Sequence, residues 1–134
     1  MNNLFMKQLL KDTQVIAVVG LSDKPSRPSY DVACYMQQAG YKIIPVNPQC
    51  SEILGETCYP DLASIPTKVD MVNVFRKPEE CLDVAKDAVK IGAKSLWLQL
   101  GITNQAAADF ANSHGLKVIM DRCIKVDHRI LNHQ

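Results

Sequence analysis

The sequence predicts an α/β fold, a doubly wound parallel sheet of about five strands with helices on both faces. Three observations predict it. First, an apolar run too short for a helix, Val15–Val19, ends at Gly20 and is followed by a small-residue, proline-broken loop and then a helical pattern. Second, Gly-x-Lys recurs just before an apolar run: Gly40–Tyr41–Lys42, Gly92–Ala93–Lys94 and Gly115–Leu116–Lys117. A glycine there suits the left-handed turn that closes a helix and feeds a strand. Third, apolar residues between these points recur at helical spacing, so strand and helix alternate along the chain.

Each element follows in order. Phe5, Met6, Leu9 and Leu10 predict a short leading helix before Asp12. This segment has no continuous apolar core and no small-residue cleavage site, which argues against a signal peptide. Val15–Val19 is the first strand, and a helix starts near Ser29, with Val32, Tyr35, Met36 and Ala39 on one face. Ile43–Val46 is the second strand. In the long connection from Pro48 to Lys68, Cys50–Tyr59 reads as a loop or small hairpin around Gly55, and Asp61–Ile65 as one helical turn. Val69–Phe75 is the third strand. Pro78 opens the next helix, where its missing N–H costs nothing, and Glu79 and Glu80 complement the dipole. Its core stripe is Cys81, Val84, Ala85, Ala88 and Val89, while Asp83, Lys86, Asp87 and Lys90 form a solvated face. Ser95–Leu98 is the fourth strand, with Trp97 in the core. Ala107, Phe110 and Ala111 mark a helix capped by Thr103, Val118–Met120 is the fifth strand, and Asp127–Leu131 adds a short helix. With no linker and no low-complexity segment, residues 1–134 read as a single domain.

Composition narrows the function. A chain of 134 residues with 47% hydrophobic and 22% charged residues is ordinary for a soluble domain. A net charge of +1 gives no case for nucleic-acid or membrane binding, and no apolar run is long enough to cross a bilayer. The cysteines, Cys34, Cys50, Cys58, Cys81 and Cys123, are odd in number and form no C-x-x-C pair. This argues against a disulfide framework and a zinc site, and for reduced thiols in the cytoplasm.

In open parallel sheets, ligands bind beyond the carboxyl ends of the strands. Those ends carry Gly20, Ser22, Lys24 and Arg27; Asn47 and Pro48; Arg76 and Lys77; Gln99 and Gly101; and Arg122 and Cys123. Cations therefore gather on one edge against Asp23 and Asp121, and the expected ligand is a multiply charged anion. The loop after Gly20 leads into a helix N-terminus, where unpaired N–H groups and the dipole favour phosphate, and Arg27 adds a planar fork of donors. Only Gly20 is present, so the G-x-G-x-x-G fingerprint fails, and no Gly-Lys-Ser/Thr follows. Asn47 stands where a dinucleotide fold of the NAD type places an acid for the ribose, so NAD is disfavoured. His114, His128 and His133 read as structural or solvated, and no catalytic residue is assigned.

Gly20–Leu21–Ser22, the Pro25–Ser26–Arg27–Pro28–Ser29 loop, Pro45–Val46–Asn47–Pro48, Val74–Phe75–Arg76–Lys77–Pro78, Trp97–Leu98–Gln99–Leu100–Gly101–Ile102 and Asp121–Arg122–Cys123–Ile124 together resemble the stand-alone CoA-binding domain proteins. Those are similar to the CoA-binding domain of the succinyl-CoA synthetase α subunit. The resemblance runs from Thr13 to Leu131. It implies a Rossmann-like fold with CoA or an acyl-CoA across the strand ends. Gly20, Ser22 and Arg27 would meet the phosphates, and Asn47, Pro48, Phe75 and Arg76 would flank the nucleotide, with Val46 adding apolar surface. Leu21, Lys24, Pro25, Ser29, Lys77, Gln99, Gly101, Arg122 and Cys123 complete the expected site. The resemblance supplies no reaction. A nucleotide-binding regulatory protein using NAD, or an enzyme acting on acyl-CoA, stay open as alternatives. Cys123, beside Arg122, is expected either to exchange with the CoA thiol under oxidation or to be an inert core cysteine.

Overall fold

The structure, a computed structural model, describes residues 3–132. The chain forms α1 (Asn3–Asp12), β1 (Val15–Val19), α2 (Pro28–Gln38), β2 (Lys42–Val46), a hairpin of β3 (Glu52–Ile53) and β4 (Glu56–Thr57), β5 (Met71–Val74), α3 (Cys81–Lys90), β6 (Ser95–Leu98), α4 (Gln105–Ser113), β7 (Lys117–Ile119) and α5 (Ile124–Asn132). β2, β1, β5, β6 and β7 lie side by side in that order as one parallel sheet. Ala17 is level with Ile44 on one side and Val72 on the other, and Val72 is level with Leu96. The chain thus winds from β1 outward to β2, crosses back over β1 to β5, and continues outward in the opposite direction. The reversal places a crevice between the ends of β1 and β5, where such sheets bind ligands.

Because successive strand residues face opposite sides, the strands feed two cores. Ile16 and Val18 point into one, with Met6, Leu10, Met36, Trp97 and Ile124. Ala17 and Val19 point into the other, with Val72, Leu98, Ala85, Ala88 and Ala107. Helices α1, α2 and α5 cover the first face and α3 and α4 the second. The second layer is rich in alanine, and α3 packs directly on α4. The α/β Rossmann-like class expected from the sequence is the one observed.

Trp97 is fully buried, and its indole Nε1–H donates to the Arg122 carbonyl at 2.8 Å. The Asp70 carboxylate accepts from the Gln14 and Val15 N–H groups at 3.0 and 2.9 Å, which anchors the start of β1 to β5. Three local expectations need correction. The cap of α4 is Asn104, whose side chain accepts from the Ala107 N–H at 2.9 Å, and not Thr103. The segment after Pro78 begins as a 3-10 turn, Pro78–Glu80, and becomes α-helical only at Cys81. The last helix starts at Ile124, three residues before the expected Asp127. Its early start has a long-range cause, since the Ile124 N–H donates to the buried Gln99 Oε1 at 3.4 Å.

Candidate ligand groove at the strand ends

Gly20 sits at the crevice with φ of +87°, a conformation that favours glycine. Its N–H donates to the Val46 carbonyl at 2.9 Å, and the neighbouring Val19 carbonyl accepts from Phe75 N–H at 2.8 Å. The loop that follows is held from several sides. Ser22 N–H donates to Ser29 Oγ at 3.0 Å, Lys24 N–H to Ser22 Oγ at 3.1 Å, and Arg27 N–H to the Lys24 carbonyl at 3.0 Å. Asn47 Nδ2 donates to the Leu21 carbonyl at 3.0 Å, while Asn47 Oδ1 accepts from Gln49 N–H at 2.9 Å. Arg27 is the N-cap residue of α2, and Pro28 opens the helix, so the guanidinium is not spent on capping.

Three clefts adjoin along this edge. The central one, about 610 Å³, is lined by Gly20, Ser22, Asp23, Lys24, Arg27 and Asn47, with Pro28, Ser29, Gln49, Cys50 and Phe75 around them. A second, about 300 Å³, lies on the α3 side: Val19, Val46, Pro48, Pro60, Leu62 and Val84 form an apolar lining rimmed by Arg76, Asp61, Glu80, Asp83 and Asp87. The third, about 420 Å³, shares Pro28 and Phe75 with the central cleft and continues past Val32, Gln99, Leu100, Ile102, Cys123 and Val126. Leu21, Pro25, Lys77, Gly101 and Arg122 line none of these three. The Leu21 side chain is wholly in the core, and Gly101 N–H donates to Asp121 Oδ1 at 2.7 Å.

The cations of this edge are not equivalent. Arg122 is held bidentately by the buried Asp127 at 2.7 and 2.8 Å, and that bond raises its pKa further above its ordinary value. Arg76 pairs with Glu80 at 2.8 Å. The hydrogen bond from Arg76 holds the Glu80 carboxyl below its ordinary value, outweighing partial desolvation. Among the described residues, Lys24, Arg27 and Lys77 have no ion pair. Two of the five expected cations therefore already have a partner within the protein, and the uncommitted charge centres on the loop after Gly20. At Cys50, in the central cleft, desolvation and the nearby Asp23 push the thiol pKa up.

Sequence reasoning missed the carboxylate rim formed by Asp61, Glu80, Asp83 and Asp87, because Asp83 and Asp87 read as an ordinary solvated helix face. They are exposed, but that face borders the cleft. The histidines lie elsewhere. His114 closes the end of α4, and His128 Nδ1 is 2.9 Å from the Tyr35 hydroxyl between α5 and α2. His133 lies outside the described residues. Among those residues, no group of three or more His, Cys, Asp or Glu is placed to hold a metal, and no helix is long and apolar enough to cross a membrane.

A doubly wound parallel sheet with clefts at its switch point is the arrangement in which open α/β sheets bind ligands. Within that class, the chain belongs to the CoA binding domain family, which matches residues 14–129. It is 44% identical to YneT of Bacillus subtilis (strain 168) over 125 residues, 93% of each chain. It is 26% identical to acetate–CoA ligase [ADP-forming] II of Archaeoglobus fulgidus over 115 residues, 77% of this chain but 17% of the ligase. Among solved structures, a hypothetical protein from Pyrococcus horikoshii OT3 superposes with a TM-score of 0.95 at 35% identity, covering 98% of this chain and 93% of that one.

Proposed function

We propose that this protein binds coenzyme A, free or as a thioester, in the groove at the strand ends, serves the cytoplasmic pool of that cofactor, and performs no reaction of its own. One observation carries the reading. Lys24 and Arg27, without ion-pair partners among the described residues, border the central cleft beside Gly20, which is the largest of the three and lies between two clefts with apolar walls.

The ligand needs an anionic middle and an arm on either side. The diphosphate suits the central cleft, where Arg27 offers a fork of donors. The α3-side cleft has an apolar lining and a rim of carboxylate acceptors, which suits an adenosine presenting an exocyclic amine and hydroxyls. The third cleft has an apolar wall of Val32, Leu100, Ile102 and Val126 with the Gln99 amide and the Cys123 thiol, edged by Asp31, Lys125 and Arg129, and a wall that mixes apolar surface with amide donors suits the pantetheine arm. The family membership and the likeness to part of an acetate–CoA ligase support the same ligand.

Small molecules released by denaturing freshly purified protein, identified by mass, test this reading first. Displacement assays then rank ligands. CoA is expected to bind more tightly than dephospho-CoA, because Arg76 on the rim of the α3-side cleft supplies a cation for the ribose 3′-phosphate, and NAD more weakly than both, because both polar groups of the Asn47 side chain are engaged within the protein. Affinity should fall with added salt. If NAD competes as well as CoA, the CoA reading fails and a regulatory NAD-binding role replaces it.

A further inference from the structure

Gln99 is 5% exposed and lines the cleft that also holds Cys123. Two donors converge on its side-chain oxygen: Asn73 Nδ2 at 3.3 Å and the Ile124 N–H at 3.4 Å. That convergence fixes the amide orientation, since an amide nitrogen cannot accept both. The Gln99 Nε2 group is therefore the free end, and among the described residues no atom accepts its N–H bonds. It is also absent from the buried polar atoms that lack both solvent and partner, so it reaches the cleft surface. A buried side chain with one end anchored and its donors unspent at a cleft wall is built for an acceptor on a ligand.

Cys123 is half-buried in the same wall, directly before Ile124 in the chain, whose N–H anchors Gln99. An arm whose amide carbonyl meets Gln99 Nε2 shares its cleft with the Cys123 side chain. Resting on the CoA reading, we infer that Cys123 is a thiol-exchange site for the sulfur end of the ligand. The Cys123 thiolate attacks one sulfur of a ligand disulfide, such as CoA disulfide. The Cys123–CoA sulfur bond forms, the original S–S bond breaks, and the second CoA leaves as a thiolate, taking up the proton Cys123 lost. The ligand disulfide is the oxidant, so no other redox partner enters. The protein would then hold CoA covalently under oxidation and release it when thiols are plentiful.

The other cysteines are placed less well. Cys58 and Cys81 are buried, and Cys34 lines none of the three clefts. Cys50 is in the central cleft beside Asp23, where its thiol is held protonated more firmly than usual.

The test is intact mass after incubation with CoA disulfide, with peptide mapping of the adduct. Wild type is expected to gain one CoA on Cys123, reversibly with dithiothreitol, while Cys123→Ser gains none and Cys34→Ser, outside the three clefts, behaves as wild type. Reaction with CoA disulfide should be at least about tenfold faster than with glutathione disulfide, because binding raises the local concentration of the reacting sulfur. An adduct formed equally well on Cys123→Ser, or equal rates with the two disulfides, overturns the inference. Calorimetry with reduced CoA separates the two readings. Binding without an adduct sinks the exchange site alone, whereas no binding sinks the CoA reading itself.

Discussion

Gly20 and Phe75 approach each other so closely that a methyl group on Gly20 would lie 2.3 Å from the Phe75 carbonyl oxygen and 3.0 Å from the Arg76 side chain. Both the space and the positive φ demand glycine here, and the contact sets the width of the crevice between β1 and β5. Gly20→Ala should therefore destabilise the fold by about 1–3 kcal/mol, the cost of a strained backbone position. It should also weaken CoA binding by forcing the strand ends apart. Thermal unfolding followed by circular dichroism checks the first effect and calorimetry the second. An unchanged melting temperature would show that the crevice can widen freely.

Arg27 is exposed and has no ion-pair partner among the described residues. Arg27→Ala should leave stability almost unchanged and weaken CoA binding by about 1.5–3 kcal/mol, as for loss of a hydrogen bond to a charged group. Arg27→Lys should recover only part of this, since the bidentate geometry is lost. Equal affinity of the alanine variant and wild type would move the phosphate away from this loop.

Arg122 should show the reverse. Its guanidinium is engaged by Asp127, which is 4% exposed, so Arg122→Ala strands a buried carboxylate. A loss of about 1–3 kcal/mol of stability is expected, reduced from that of a fully buried pair because Arg122 itself is partly exposed. CoA affinity should change little. Urea unfolding beside calorimetry distinguishes this from a residue that holds phosphate.

Acid should act on the Arg76–Glu80 pair. The Glu80 carboxyl titrates below its ordinary 4.5 because Arg76 donates to it. A lowered folded-state pKa means that the pair's contribution is present above the ordinary value and is lost as pH falls through the lowered one. Carbon-detected NMR of the Glu80 side chain should give a depressed midpoint in wild type and one near the ordinary value in Arg76→Gln. The same midpoint in both proteins would remove Arg76 as the cause.

Much of this was legible in the sequence because it is local. Gly20, Gly40, Gly92 and Gly115 all have positive φ, and each marks a strand or helix end that the sequence also marked. The hairpin around Gly55 was legible for the same reason, with Leu54 and Gly55 both at positive φ as a tight two-residue turn requires. What was not legible depends on contacts distant in sequence. Nothing near Ile124 announces a helix start there, because its anchor is Gln99. Arg122 read as a ligand-facing cation because its partner, Asp127, lies across the start of a helix that the sequence placed later. The carboxylate rim required knowing that Asp61 and α3 close on the end of β2.

The ties on the loop from Gly20 to Ser29 bear on how affinity varies with temperature. A floppy glycine loop must lose backbone freedom when it wraps a phosphate, at roughly 1–2 kcal/mol for each residue it fixes. Here the Ser22–Ser29, Lys24–Ser22 and Asn47–Leu21 hydrogen bonds fix that conformation from within the protein. The ordering entropy is already lost when the chain folds, so binding need not meet it again. Association then resembles a key entering a cut lock, and its entropy term should be governed by released water and counterions rather than by the chain.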